Sequence, residues 1–146
     1  MRAISLWQPW ASLIFSPRLV KRHETRHWAT VYRGPLVIHA AQKLATNLDD
    51  DLAELLIDEF GSGWVSELPR GRMLGTVRLA DCRATEVIDP DTLDRLCGDW
   101  TPGRFAWRLE EPKLFTHAPR VIGRQGFFNW HDPAFLPAEP EAARLL

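Results

Sequence analysis

The stretch that most constrains the fold is residues 21–39, KRHETRHWATVYRGPLVIH. It places charged, imidazole and indole side chains before a Gly-Pro turn signal and an apolar run. Glu24, Arg26 and Trp28 recur at every second position, so in a β-strand they would share one face. The β-branched and aromatic residues that follow are also typical of strands. We therefore predict a strand that presents a carboxylate, a guanidinium and an indole together.

The same letters also match the motif H-E-x-x-H from His23 to His27. On a helix, the two imidazoles would bind zinc and Glu24 would be the general base of a hydrolase. A helix here would lack an apolar stripe to pack against a core, and no third ligand lies at an obvious spacing. The zinc hydrolase is therefore a minor alternative, and we predict no metal or other cofactor.

Length and composition indicate one globular domain. The chain has 146 residues, of which 45% are hydrophobic and 25% are charged, which is ordinary for a folded domain. No apolar stretch is long enough to span a membrane, and the N-terminus lacks a signal-peptide pattern. Cys82 and Cys97 form no C-x-x-C motif, so we expect two reduced thiols. We predict a cytoplasmic protein with a single domain at 1–132 and a flexible Pro/Ala-rich tail at 133–146.

The net charge of −1 conceals an uneven distribution. Residues 1–43 carry a net charge of +6, whereas residues 44–99 carry −8. A basic third of a neutral protein is typical of a surface that meets an anionic partner such as nucleic acid. A solvated basic surface without a partner would leave the same pattern, and both interpretations remain open.

Hydrophobic periodicity and turn signals predict an α+β fold. We expect a small barrel or curved sheet of five to six strands, flanked by two to four helices. Asn47 is the predicted N-cap of the clearest helix, Gly75 indicates close approach of another backbone, and Trp10 and Trp107 are expected in the core. The predicted strands are 2–6, the segment through Glu24, Arg26 and Trp28 that ends before the turn at 32–35, and 36–41, 73–82, 103–109 and 114–115. The predicted helices are 9–15, 47–60 and 91–96, and 121–130 is predicted as a loop with a short element.

Six blocks in order resemble a known family. They are SLWQPWASLI, then K-x-x-E-x-R-x-W, YRGPLVIHAA, LPRGRMLGTVRLADC, GRFAWRL and PRVIGRQGFFNW, which together cover residues 3–130. The sequence is similar to the ASCH domain, the activating signal cointegrator homology domain of the PUA-like superfamily. The resemblance implies a β-barrel flanked by helices, with a cleft lined by the signature G-x-K-x-x-E-x-R. It implies binding of RNA or another nucleic acid. Some relatives are small amidohydrolases that act on N4-acetylcytidine, and ribonuclease activity is attributed to others.

Two positions depart from the family pattern. Leu19 stands where the signature has Gly, so the turn that presents Lys21 is expected to differ. Glu24 stands where the amidohydrolase relatives have a nucleophilic Thr. The neighbouring Thr25 would point to the opposite face of a strand. These departures weigh against deacetylase chemistry, although Lys21 and a carboxylate remain.

The residue types suggest physical roles in a ligand cleft. Lys21 offers a mobile charge for phosphate, Arg26 offers a rigid fork, and Glu24 accepts from a base amino group or holds Arg26 in place. Aromatic rings would stack an unpaired base, amides would read a base edge, and a C-terminal arginine would close the pocket. The predicted binding residues are Trp7, Gln8, Lys21, Glu24, Arg26, Trp28, Arg124 and Gln125.

The function we predict first is binding of RNA, single-stranded nucleic acid or a modified nucleoside, without a membrane. The alternative is a small metal-independent hydrolase, either an N4-acetylcytidine-type amidohydrolase or a ribonuclease. In that case Lys21 and Glu24 are the expected catalytic residues. An interaction domain without such a ligand also remains open, because a fold does not determine a function.

Overall fold

The computed structural model describes residues 1–132 and residue 134. Within them the chain forms six strands, four α-helices and one 3-10 turn at Thr85–Val87, which confirms the predicted α+β class. The elements are β1 (Arg2–Gln8), α1 (Trp10–Leu13), β2 (His23–Arg26), β3 (Gly34–Leu44), α2 (Asp50–Phe60), α3 (Trp64–Glu67), β4 (Arg72–Ala84), α4 (Thr92–Cys97), β5 (Phe105–Leu114) and β6 (Phe128–Asn129).

All six strands belong to one mixed sheet. The hydrogen-bonded order is β2-β5-β4-β3-β1-β6, and only β1 and β3 run parallel. The edge strand β2 nevertheless reaches β1 through a side chain, because Arg26 Nη2 donates to the carbonyl oxygen of Ser5 at 2.9 Å. This bond spans the open side of a curved, barrel-like sheet, and the candidate site lies beside it.

The main core lies against the central strands. Trp107 of β5 is fully buried, as predicted, and it packs with inward residues of the neighbouring strands such as Leu36, Ile38 and Leu79. Successive side chains of a strand point to opposite faces, so alternate apolar residues provide this layer. Removing an aromatic ring from such a core typically costs about 3–5 kcal/mol. The core therefore gives the site a rigid support.

Helix α2 differs from the prediction at its start. Asp49, not Asn47, is the N-cap, and its side chain accepts from the amide of Asp51. Acidic residues in the first turn are favoured by the helix dipole. Leu52 and Leu56 are buried on one face, where they form a second apolar cluster with α1 and α4 residues.

The structure revises several boundaries. Strand β5 continues to Leu114, so the separate strand predicted at 114–115 is wrong, and helix α3 was not predicted. The close approach predicted at Gly75 is confirmed, because a Cβ there would collide with the carbonyl oxygen of Lys113. Both cysteines are free thiols, as predicted.

Two remaining predictions concern the ends of the chain and the membrane. The predicted Pro/Ala-rich tail, 133–146, lies outside the described residues apart from Ala134. Within those residues, no helix combines the length and the apolar character that crossing a bilayer requires.

Candidate functional site

A cleft of about 800 Å³ opens where β1 faces β2. We call it the Glu24 cleft. Its volume falls within the usual range for small-molecule sites, about 300–1,000 Å³. Both strands, the segment after β2 and a C-terminal loop contribute to its wall. The lining residues are Ser5, Leu6, Trp7, Trp10, Glu24, Thr25, Arg26, His27, Trp28, Arg104, Arg124, Gln125 and Gly126.

The strand prediction for the central stretch is confirmed for Glu24 and Arg26, but the strand ends before Trp28. Residues His23–Arg26 form β2 and pair antiparallel with β5, with Glu24 opposite Trp107. The H-E-x-x-H motif needs a helix, and this segment is not helical. Among residues 1–132 and 134, no group of three or more His, Cys, Asp or Glu side chains is placed to hold a metal ion. Residues 23–27 therefore lack the helical arrangement that the zinc-hydrolase alternative requires.

Glu24 is the centre of a three-residue charge network. Its Oε1 accepts from Lys21 Nζ at 2.8 Å, and its Oε2 accepts from Arg26 Nε at 3.1 Å. The Glu24 side chain is 15% exposed. Each carboxylate oxygen has two lone pairs, so the carboxylate retains acceptor positions for a ligand on its cleft side.

The network keeps Glu24 ionised. Burial alone would raise the pKa of this carboxyl, but the charges and hydrogen bonds of Lys21 and Arg26 outweigh burial and lower the pKa below its usual value of 4.5. At neutral pH, Glu24 is therefore an acceptor of hydrogen bonds and not a donor. A carboxylate with a lowered pKa is also a weak general base.

The structure corrects the predicted role of Lys21. Lys21 is 1% exposed and does not line the cleft. Its ammonium group lies behind Glu24 and also donates to the carbonyl oxygen of His23 at 2.6 Å. Leu19, which replaces the signature Gly, packs into the cluster around α2. Lys21 therefore positions Glu24 and is not a mobile charge for phosphate.

Asp94 of α4 holds β2 from the opposite side. It accepts from the amide of Arg22 at 2.9 Å and from His23 Nδ1 at 2.8 Å. Burial would raise the pKa of Asp94, but these hydrogen bonds and the charge of Lys21 lower it. The neighbouring Cys97 thiol has its pKa raised to about 12, mainly by burial. Asp94 therefore anchors the strand, and Cys97 stays protonated.

Aromatic rings form the apolar part of the cleft. Trp7 is 43% exposed. Trp28 contacts Trp107 edge to face with a centroid distance of 4.7 Å, so a core ring fixes its orientation. Trp10, which we expected only in the core, also lines the cleft. Trp10 also packs against the main core, as we expected.

Gln8 is not part of the cleft. It is fully buried, and its amide nitrogen donates to Ser12 Oγ at 2.7 Å and to the carbonyl oxygen of Pro69 at 2.8 Å. Its amide oxygen accepts from the Ser12 amide at 2.9 Å. Both ends of the side chain are thus used by the fold, and the predicted role in reading a base edge does not fit.

Arg124 and Gln125 both line the cleft, on the side formed by the C-terminal loop. Both are exposed. In the described part of the chain, the Arg124 guanidinium has no ion-pair or hydrogen-bond partner. It is therefore available to an anionic ligand.

Sequence reasoning missed some residues of the wall. Ser5 shares a face with Trp7 on β1, so strand alternation contained the signal. Its hydroxyl bonds to His39 Nδ1 at 2.8 Å, and His39 Nε2 donates to the carbonyl oxygen of Val121 at 2.6 Å. Burial lowers the pKa of His39 despite that second bond, so the ring is neutral and accepts from Ser5. Arg104 had no such signal, because a loop contributes it.

Comparison with known proteins identifies the family. The model of the ASCH domain matches residues 4–116, so the chain belongs to the ASCH domain family. Activating signal cointegrator 1 from Homo sapiens and from Mus musculus is 37% identical to it over 84 residues. This alignment covers 54% of the chain but only 14% of each cointegrator.

Solved structures of the same family share the fold. The ASCH protein from Zymomonas mobilis has a TM-score of 0.52 at 13% identity, over 90% of this chain and 87% of that one. A single-substitution mutant of that protein gives 0.51 over 99% of this chain and 94% of its own. At this identity the likeness concerns the fold alone.

Proposed function

We propose that the chain binds single-stranded RNA and takes one unpaired base into the Glu24 cleft. The observation that carries the proposal is the ionised Glu24 carboxylate, held by Lys21 and Arg26 in the wall of a cleft that also presents tryptophan rings. A fixed acceptor beside aromatic surfaces suits a flat ligand with an amino group at its edge. Such ligands are the nucleobases.

Recognition would divide between the edge and the faces of the base. Glu24 can accept from the exocyclic amino group of cytosine or adenine, whereas uracil presents a carbonyl there. The remaining donors of Arg26 can reach a base carbonyl or ring nitrogen. Trp7 or Trp28 offers a surface for stacking, which contributes about 1–3 kcal/mol per base. The cleft should therefore favour amino-bearing bases.

The choice of RNA follows from the family and from the shape of the site. The resemblance to ASCH domains implies nucleic-acid binding, generally of RNA. The base must be unpaired, because a paired base uses its Watson–Crick edge within the duplex. Single-stranded loops and ends meet this condition.

The hydrolase alternative, with Lys21 and Glu24 as catalytic residues, receives less support. The Lys21 ammonium is buried and committed to two acceptors. The lowered pKa of Glu24 makes it a poor base. Thr25 Oγ1 accepts from the amide of Asp99 at 3.0 Å, so this hydroxyl is used by the fold.

The test compares Glu24→Gln with Glu59→Gln. Glu59 is a matched control, because its carboxylate is also mostly buried and paired with an arginine, Arg18, at 3.1 Å, but it lies outside the cleft. Fluorescence anisotropy with labelled cytidine-containing and uridine-containing oligoribonucleotides measures binding.

Glu24→Gln should weaken binding of the cytidine oligonucleotide by about tenfold to a hundredfold and abolish its preference over uridine. Glu59→Gln should bind as the wild type does. Circular dichroism checks that both variants fold. Unchanged affinity and preference in a folded Glu24→Gln variant would exclude the proposal.

A further inference from the structure

A second depression adjoins the Glu24 cleft. It has a volume of about 620 Å³ and lies between the end of β3, the start of β4 and residues 120–125. We call it the Arg120 groove. It shares Ser5, Trp7, Arg124 and Gln125 with the Glu24 cleft. A ligand in the cleft can therefore continue into the groove past Trp7 without leaving the surface.

Four cationic side chains line the groove, and no carboxylate of the described chain does. Lys43, Arg70, Arg120 and Arg124 all line it and are exposed. Within the described residues none of them forms an ion pair, and no Asp or Glu belongs to the lining. Clustered cations of this kind attract an anion and raise its local concentration.

Arginines elsewhere on the sheet behave differently. Arg78 is 2.9 Å from Glu110, and Arg83 is 2.7 Å from Asp81. On α4, Arg95 is 3.3 Å from an aspartate. Among the described residues, these three arginines are paired with carboxylates, whereas the four cations of the groove are not.

Hydrogen bonds to the rest of the fold hold the wall of the groove in place. The Val121 amide donates to the carbonyl oxygen of Gly71 at 3.0 Å, and the Val121 carbonyl accepts from His39 at 2.6 Å. These bonds fix the loop against β3 and β4. Lys43 Nζ lies 4.3 Å from the centroid of the Trp7 ring, a cation–π geometry that holds this ammonium beside the Glu24 cleft.

Apolar surface accompanies the charge. Ile122 lines the groove and is 92% exposed, and Trp7 borders both depressions. A free phosphate or nucleoside would use either the cations or the rings. A polynucleotide strand would use both, because its phosphates alternate with bases and sugars along the chain.

We propose that the Arg120 groove binds the sugar-phosphate backbone of the nucleotides next to the base in the Glu24 cleft. This inference rests on the proposed function and makes its ligand class narrower, since the ligand is then a polynucleotide and not a free nucleoside. Lys43, Arg70 and Arg120 contact phosphates, and Arg124 lies where the groove meets the Glu24 cleft. Such contacts position the strand but do not read its sequence.

The test removes three groove cations and compares a matched variant. The groove variant is Lys43→Ala/Arg70→Ala/Arg120→Ala, which leaves out Arg124 because it also lines the Glu24 cleft. The control, Arg78→Ala/Arg83→Ala/Arg95→Ala, changes the net charge equally but removes paired arginines. Binding of cytidine and of a cytidine-containing oligoribonucleotide is measured across salt concentrations, and thermal melting checks the fold.

The groove variant should lose about a hundredfold in oligonucleotide affinity at about 0.1 M salt. The slope of log affinity against log salt concentration should become shallower by about 2. Binding of cytidine should stay unchanged, and the control should match the wild type. Equal losses in the two variants, or none in the groove variant, would overturn the inference.

The two proposals can fail separately. If Glu24→Gln still loses base preference while the groove variant binds normally, the Glu24 cleft stands and the groove does not. If the groove variant loses binding and salt dependence while Glu24→Gln changes nothing, the backbone site stands and the base site falls. Absence of oligonucleotide binding by the wild type would overturn both.

Discussion

The Glu24 cleft and the Arg120 groove are neighbours that treat charge in opposite ways. In the cleft, Lys21 and Arg26 neutralise Glu24 and hold it in one geometry. In the groove, the cations have no carboxylate among the described residues. A fixed network of paired charges can discriminate between base edges, whereas unpaired cations attract any phosphate backbone. Selectivity and much of the affinity are thus expected from different surfaces.

The contrast between cleft and groove predicts the largest effect for Lys21→Ala, on the stability of the fold. Lys21 is buried, and its removal leaves the Glu24 carboxylate short of a partner, so the free energy of unfolding should fall by about 3 kcal/mol. Lys43→Ala removes an exposed lysine from the groove and should change it by less than about 0.5 kcal/mol. Urea denaturation measures both. Similar losses in the two variants would remove the distinction between the surfaces.

Acid should lower the stability of the fold by protonating the carboxylates of Glu24 and Asp94, which hold β2. Burial would raise the pKa values of Glu24 and Asp94, but their cationic and hydrogen-bonding partners lower both below the usual 4.5 and 3.8. Their stabilisation is therefore present above those values and is lost as pH falls through the lower folded values. The free energy of unfolding should decrease as the pH falls below the usual carboxyl pKa values, and Asp94→Asn should make this decrease shallower. An unchanged slope in Asp94→Asn would contradict this account.

Trp7→Ala should affect both surfaces, because Trp7 borders the cleft and the groove. Loss of a stacking ring should weaken oligonucleotide binding by about 1–3 kcal/mol. Stability should change little, since Trp7 is 43% exposed. Val87→Ala is a control at an exposed apolar residue outside both depressions. Fluorescence anisotropy gives the affinities, and equal binding by the two variants would remove Trp7 from the site.

The smallest effect is expected for Arg124→Ala at the junction. Loss of one phosphate contact should lower the salt slope for single-stranded RNA by about 0.7 and weaken binding several-fold at low salt. Arg83→Ala removes a paired arginine and should leave the slope unchanged. A larger loss for Arg124→Ala than for the triple groove variant would place the phosphates in the cleft instead.

Periodicity was a good guide to the strands. The alternation of Glu24 and Arg26 predicted β2 correctly, because a half-buried strand shows its two faces directly in the sequence, whereas Trp28 follows the end of the strand. The same rule, applied to β1, would have added Ser5 to the site beside Trp7. The resemblance to ASCH domains implied a cleft lined by the signature residues, of which Glu24 and Arg26 line the cleft and Lys21 does not.

Burial was harder to predict than secondary structure. Lys21 was predicted to be an exposed charge because lysine is rarely buried, but it is buried and donates hydrogen bonds to its near neighbours in sequence, Glu24 and His23. Gln8 was predicted to be a ligand-binding amide, but its amide nitrogen donates to the carbonyl oxygen of Pro69, which only the fold brings next to it. This hydrogen bond joins residues 61 positions apart, and such a bond leaves no periodic signal in the sequence.

A structure of the chain with a short cytidine-containing oligoribonucleotide would test the central claim most directly. The account predicts the cytosine amino group within hydrogen-bond distance of the Glu24 carboxylate, about 2.7–3.2 Å. The adjoining phosphates should follow the Arg120 groove. A bound strand that leaves the Glu24 cleft empty, with its bases on another surface, would contradict the account.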